Sequence, residues 1–329
     1  MSDELDVVTF GEAMMMLVAD QPGPLELAKA FHKRTAGAET NVAIGLARLG
    51  LKVGWASRLG ADSMGRYLLA EMQGEGIDCS HVVSDPTQRT ALQFKGRVTD
   101  GSDPPIEYHR KGSAASRMQV SDIDVSWLHS ARHLHSTGVF AAISENCFEV
   151  QRKTMTLMRE GGKTVSFDPN VRPTLWPSIQ RMCEGINELA FLADWVFPGI
   201  EEGRLLTGRQ TPEDIAGFYR RGGPREGGPR KGGPRKGGPS LVVIKLGADG
   251  AYFESANEQG YVPGFPVDTV LDTVGAGDGF AVGVISALLA GLPLRKAVER
   301  GAWIGARAVQ VLGDTEGLPT RDVLEQAGR

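Results

Sequence analysis

The stretch that most constrains this chain is Asp272-Thr273-Val274-Gly275-Ala276-Gly277-Asp278-Gly279-Phe280, followed at once by the apolar run Ala281 to Gly291. The first half is a loop of small residues, and the second is apolar enough to be a buried helix. Glycines at 275, 277 and 279 let backbone N–H groups turn inward at a helix start, where the dipole adds positive potential. Such a nest suits an anion, so a carboxylate inside it, Asp278, needs its own reason. A base that takes a proton from a hydroxyl attacking a phosphoryl group is one, with the N–H groups of Gly275, Ala276 and Gly277 as the anion hole. A Gly-rich turn capped by Asp is the plainer reading of a bare GxGD.

Charge and length narrow the field. The chain has 329 residues, 36 Lys+Arg and 40 Asp+Glu, for a net charge of −4. That is long enough for a full α/β core and gives no reason to expect nucleic acid or a membrane surface as partner. Cys79, Cys147 and Cys183 are scattered, without a CxxC pair, and fit a reducing compartment. The acids Asp3, Glu4 and Asp6 exclude the basic n-region of a signal peptide, and no apolar run reaches the ~18 residues needed to span a bilayer. A cytoplasmic protein is expected.

Strand patterns recur along the chain. Residues 5–10 read as a first strand, 13–19 continue extended, and 53–57 form the next strand before a helix to about Glu75. An Ala-rich helix opened by Gly37-Ala38-Glu39-Thr40-Asn41 stops at Gly50. Residues 90–98 alternate like a strand with one wet face, and a turn at 100–105 leads to a second strand at 106–110. From about 118 onward strands and helices alternate, with strands at 164–172, 195–198 and 241–245 and a helix at 145–161. That rhythm predicts a parallel sheet covered on both faces, with ligands beyond the carboxyl ends of the strands. Residues 222–239, a near-repeat of GGPRK, carry five Lys/Arg and one Glu, a net +4. Gly and Pro at this density predict a mobile loop at the amino edge of the sheet; a nucleic-acid tether would need stacking aromatics, which the repeat lacks.

The string D-T-V-G-A-G-D-x-F resembles the C-terminal signature of the ribokinase/phosphofructokinase-B family of sugar kinases. Gly37-Ala38-Glu39-Thr40-Asn41-Val42-Ala43 resembles its N-terminal signature, and G-x-D-x-x-G at 60–65 fits as well. The resemblance covers nearly the whole chain. It implies a ribokinase-like α/β fold, a three-layer α/β/α arrangement around a mostly parallel sheet with a small β lid. The core would comprise 1–12, 37–88 and 118–329, the lid 13–36 and 89–117. Gly37, Ala38, Glu39 and Asn41 would then face the sugar, together with Asp314. Lys245, Gly247 and Gly250 of K-L-G-x-x-G, with Asn170 and the glycines 275 and 277, would surround ATP. Glu202 would hold Mg²⁺ through water, although Gly199 stands where the family usually has Asn. Asp272 would be the carboxylate of a monovalent cation site, K⁺ being the usual ion. A homo-oligomer formed through the lid is expected.

Within the family three local strings resemble the branch that acts on keto-deoxy sugar acids: Gly11-Glu12-Ala13-Met14 with Gly37-Ala38-Glu39, Tyr108-His109-Arg110 with Ser113-Ala114-Ala115-Ser116, and Asp168-Pro169-Asn170-Val171-Arg172-Pro173. A sugar acid has a carboxylate that a neutral hexose lacks, and Arg110 and Arg172 could meet it by charge-assisted hydrogen bonds while Tyr108 donates to a sugar oxygen or stacks on the ring. The expected activity is transfer of the ATP γ-phosphoryl group to the terminal hydroxyl of such an acid. A fructokinase or ribokinase of the same fold, and a catalytically dead sugar sensor, are the alternatives.

Overall fold

The computed structural model describes residues 4–98, 104–223 and 238–329. The turn expected at 100–105 and the GGPRK repeat therefore lie largely outside the described residues. In chain order the strands are β1 (Leu5–Phe10), β2 (Met14–Ala19), β3 (Phe31–Ala36), β4 (Val53–Gly60), β5 (Val82–Asp85), β6 (Ala91–Lys95), β7 (Ile106–His109), β8 (Ala131–Thr137), β9 (Thr164–Asp168), β10 (Trp195–Val196), β11 (Leu241–Lys245), β12 (Ala251–Ser255) and β13 (Gln259–Val262).

Nine of them form one sheet in the order β13-β12-β11-β10-β9-β8-β1-β4-β5. Every pair from β11 to β5 is parallel, whereas β11-β12 and β12-β13 are antiparallel. The antiparallel hairpin at one edge accords with the mostly parallel sheet expected: the turn at Gly247 to Gly250 folds β12 back on β11, so no crossover helix intervenes.

Alternation along the central strands sorts side chains between two cores. Val7 lies in one hydrophobic cluster and its neighbours Val8 and Phe10 in the other; Leu241 and Val243 likewise part from Val242 and Ile244. Strands buried on both faces are largely apolar, as Val7-Val8 of β1 and Leu241 to Ile244 of β11 are. The first cluster includes the helices Ala38–Arg48, Ala276–Leu289 and Leu294–Ala308, the second Glu145–Glu160 and Ile179–Ala190. These three layers bring the amino ends of the Ala38–Arg48 and Ala276–Leu289 helices to the carboxyl edge of the sheet.

The remaining four strands form a second sheet, β3-β2-β6-β7. Its centre is the parallel pairing of β2 with β6, Met14 opposite Ala91, although 76 residues separate those two positions in the chain. Residues 13–19 thus leave the main sheet at once and join the strands at 91–95 and 106–109. A small apolar core of Met14, Met16, Ala36 and Ala91 backs the sheet.

The helix Ala276–Leu289 is buried along most of its length, and the Leu294–Ala308 helix crosses it where glycine faces glycine. A Cβ on Gly283 would sit 2.5 Å from the Gly301 Cα and 2.6 Å from its N. No rotamer change relieves contact with backbone. Gly283→Val should cost about 1–3 kcal/mol through overpacking, read as a lower urea midpoint with an unchanged slope. The same change at Gly74, whose Cβ would meet nothing within 4 Å, should leave the midpoint nearly in place.

Candidate active site

A cavity of about 510 Å³ opens between the two sheets, at the carboxyl ends of β9 and β11. It is lined by Gly37, Ala38 and Asn41 from one helix start, by Gly275, Gly277 and Asp278 from the other, and by Asn170, Arg172, Glu202, Lys245 and Asp314. Gln93, Tyr108 and Arg110 close it from the small sheet and the residue after β7. Eleven of the residues singled out from sequence are therefore brought to one chamber from segments across the whole chain, together with both glycines of the nest.

Asp278 sits in the first turn of the Ala276–Leu289 helix, whose N-cap is Gly275 at φ +84°, a left-handed conformation that disfavours any side chain. The Asp278 carboxylate accepts a hydrogen bond from Asn41 Nδ2 at 2.8 Å, which joins the two helix starts. Burial pushes its pKa up to about 8; Asn41 and Lys245 oppose the rise, while the Asp168 and Asp314 carboxylates add to it. A base with a pKa near neutrality is suited to accept a proton and to give it up again. Ala276 departs from the expected anion hole. Its N–H turns back toward the Thr273 carbonyl at 3.4 Å, and the residue is not among those lining the cavity. Gly275 and Gly277 do line it.

Lys245, the last residue of β11, extends its ammonium to the Asp168 carboxylate at 2.6 Å. A Cβ placed on Gly277 would be 3.3 Å from the Lys245 Nζ, so the cation lies directly above the nest. Burial disfavours the ammonium, yet Asp168 and Glu202 overcome this and raise its pKa, which keeps it charged. The family resemblance puts Lys245 beside ATP without naming a partner for it, and Asp168 stands in one of the three local strings. The side chains form a fixed positive charge where an anionic group would enter.

Glu202 lines the cavity with both carboxylate oxygens occupied: Oε1 accepts from the Val171 N–H and Oε2 from the Gly199 N–H, each at 2.7 Å. It therefore caps its helix and also fixes the loop after β9. In that loop Asn170 takes φ +38° and its N–H bonds Asp168 Oδ1 at 3.1 Å. Arg172 is exposed at the rim and donates to its neighbouring Val171 carbonyl.

Four further residues expected at the site, Glu39, Gly247, Gly250 and Asp272, do not line the chamber, and a fifth, Arg110, lines it with its charge already paired. Glu39 is buried beneath the cavity, where it accepts from Thr137 Oγ1 at 2.6 Å and packs under Gly11; it supports the helix start and does not face the chamber. Burial lifts its pKa to about 7. Gly247 and Gly250 lie in the turn past Lys245, outside the lining; Gly250, at φ +97°, is required by the approach of the 263–264 backbone. Asp272 lies behind the nest, bonded to Lys95. Arg110 does line the cavity, but its guanidinium is paired with the buried Glu12 at 2.7 Å, and Glu12 also accepts from the Ser113 hydroxyl. Sequence reasoning missed Glu12, Gln93 and Lys95. Alternation in β6 was a usable signal, since Gln93 and Lys95 share its buried face.

Known proteins resemble this chain along nearly its whole length. The family model for pfkB family carbohydrate kinases matches residues 4–321. A 2-dehydro-3-deoxygluconokinase of Bacillus subtilis (strain 168) is 49% identical over 98% of this chain and 94% of its own length. Among solved structures, a PfkB protein from Polaromonas sp. JS666 is 66% identical with a TM-score of 0.87, covering 98% of this chain and 99% of that one. An E. coli protein assigned as a ribokinase II, solved in complex with ATP and Mg²⁺, is 25% identical with a TM-score of 0.86, covering 98% of each chain. Among the described residues no helix is long and apolar enough to cross a membrane.

The raised pKa of Asp278 has a measurable consequence for stability. An unfolded Asp titrates near 4, so between there and about 8 the folded chain holds a proton that the unfolded chain has released. Stability from this group is fully present below the lower value and is lost as pH rises through the upper one. Glu39 adds the same sign, with its loss complete through about pH 7. Thermal melts of ligand-free Asp278→Asn and wild-type protein should diverge from about pH 4 to about pH 8, the variant becoming the more stable. Parallel curves would show that the carboxylate is ionised in the fold throughout.

Proposed function

The chain belongs to the pfkB family of carbohydrate kinases, and on that footing we propose that it phosphorylates 2-keto-3-deoxy-D-gluconate at the 6-hydroxyl, with ATP as donor. The observation that carries this is the shared cavity. A carboxylate of raised pKa, a glycine nest under a lysine ammonium, and two arginines face one chamber.

The roles follow from position. Asp278 takes the proton from the sugar hydroxyl as it attacks. Gly275 and Gly277, at the helix start, and the Lys245 ammonium receive the transferring phosphoryl group and the charge that builds on it. Gly37, Ala38, Asn41 and Asp314 hold the sugar, Asn41 also aiming the base through its bond to Asp278. Arg172 and Arg110 read the acid group, with Tyr108 against the ring. The turn carrying Gly247 and Gly250 lies on the side where the nucleotide extends.

For Mg²⁺ the donor set fits: Glu202 and Asn170 line the cavity, and each Glu202 oxygen, accepting one backbone N–H, keeps a lone pair for an ordered water of the ion. An ion held largely by phosphates and water matches such sparse ligation, and when bound it neutralises phosphate charge. The small sheet acts as a lid that excludes water on closure and as the surface through which chains assemble. A cytoplasmic location accords with the free thiols of Cys79, Cys147 and Cys183.

A neutral-sugar kinase is the second reading, favoured by one observation: Arg110 already has Glu12 as counter-ion. A phosphorylation screen of keto-deoxy acids against fructose and ribose separates the two. Arg172→Ala should lower kcat/KM for the acid roughly 10–150-fold, since a charged hydrogen bond is worth ~1.5–3 kcal/mol. It should barely affect a neutral sugar, and equal losses on both would favour the second reading. Asp278→Asn should cut turnover by about 10²–10⁴-fold while nucleotide still binds. At limiting ATP the wild-type kcat/KM should rise with pH through about 8, because only the ionised carboxylate accepts a proton. Half of the wild-type turnover in the variant would remove Asp278 from the base role.

A further inference from the structure

The monovalent cation implied beside the D-T-V-G-A-G-D loop does not fit this chain. Asp272, its expected carboxylate, is 3% exposed and already has a cation in contact. Lys95 leaves β6 of the small sheet, reaches the loops before the Ala276–Leu289 helix and after the Leu294–Ala308 helix, and places its Nζ 2.5 Å from Asp272 Oδ2 and 3.0 Å from Asp314 Oδ1. Its side chain is 2% exposed, so the ammonium has left water for these two carboxylates.

The Asp272 carboxylate is also the tie that shapes the nest. Oδ1 accepts from the Val274 N–H at 3.1 Å, and Oδ2 accepts from the Gly313 N–H at 3.2 Å. Gly275 then packs on the Asp314 backbone, where its Cβ would lie 2.5 Å from the carbonyl oxygen. Two buried carboxylates with no counter-charge would repel, and the turn carrying Gly275 and Gly277 would move with them.

We propose that the Lys95 ammonium is a built-in cation of the anion-hole loop, standing where other family members use a dissolved monovalent ion, and that this chain consequently needs none. Two positive charges cannot share Asp272 Oδ2 at this range without strong repulsion. Because the lysine belongs to the small sheet, the same contact ties that sheet to the nest, so loop geometry is set by the lid and not by salt. Burial alone would weaken the ammonium, but Asp314 and Asp272 outweigh it and hold its pKa above the usual lysine value. Lys95 is a positioning residue: it acts on the transferring group through Asp272 and the turn. The inference rests on the kinase reading for its consequence and on geometry alone for the ion site.

Thermal melts and turnover of the wild type and Lys95→Met, in potassium chloride against choline chloride at equal ionic strength, test it. The wild type should be indifferent to the ion by both measures. Lys95→Met should melt lower in choline and lose turnover on the order of 10–100-fold, as expected for a displaced catalytic loop; potassium or ammonium should restore both with saturation. Wild-type protein that gains stability or turnover saturably with potassium overturns the proposal, as does Lys95→Met indistinguishable from wild type. A deficit that no monovalent cation relieves also overturns it, reducing Lys95 to a structural ion pair. If the variant does not fold, the wild-type ion response decides by itself. The melts need no sugar, so failure of the substrate assignment, seen as no turnover on any sugar, leaves this result readable.

Discussion

A helix that starts inside a protein leaves N–H groups that must find an anion or a cap. Here the Ala276–Leu289 helix starts at the bottom of a chamber, with a left-handed glycine as N-cap and no side-chain cap. The positive end of the helix is thereby available to a ligand, and nearly everything around it serves that condition. The helix body must be apolar to be buried at such depth, the crossing at Gly283 and Gly301 must be tight, and the turn before it must be braced. Asp278 shares the same low-dielectric position. The burial that would strengthen the anion hole also raises the carboxylate's pKa to about 8.

Charge in this region comes in pairs that bridge segments. Lys245 with Asp168 joins the ends of β11 and β9; Arg110 with Glu12 joins the residue after β7 to the link between β1 and β2; Lys95 with Asp272 and Asp314 joins β6 to both loops of the C-terminal third. Each buried cation has a carboxylate within hydrogen-bond reach, as the cost of desolvating charge requires. Two of the three pairs tie the small sheet or its flank to segments outside it. The small sheet is thus held to the site by ionic contacts, in addition to its own modest apolar core of Met14, Met16, Ala36 and Ala91.

Much of this was legible in the chain because local chemistry dictated it. The strings at 5–10 and 241–245, rich in Val, Leu and Ile, read as strands and are strands, and Gly50, at φ +87°, ended its helix where expected. The glycine spacing at 275–279 and the carboxylate within it marked the helix start and the base candidate. Alternation at 90–98 marked a strand with two unlike faces. These are properties of backbone conformation and of period, which a sequence carries directly.

Direction and partnership were decided only in three dimensions. Glu39 sits in a motif expected to face sugar, yet the turn at Gly37 sends its side chain down to Thr137. Lys95 looked like one more charge on a strand until the pairing of β2 with β6 aimed it at Asp272, 177 residues away. Arg110 was legible as a cation but not as one already matched by Glu12. A sequence determines which groups are charged and which segments must be buried. Which charge meets which depends on the register of strands distant in the chain, and low-dielectric burial then makes those meetings set the pKa values and geometry of the site.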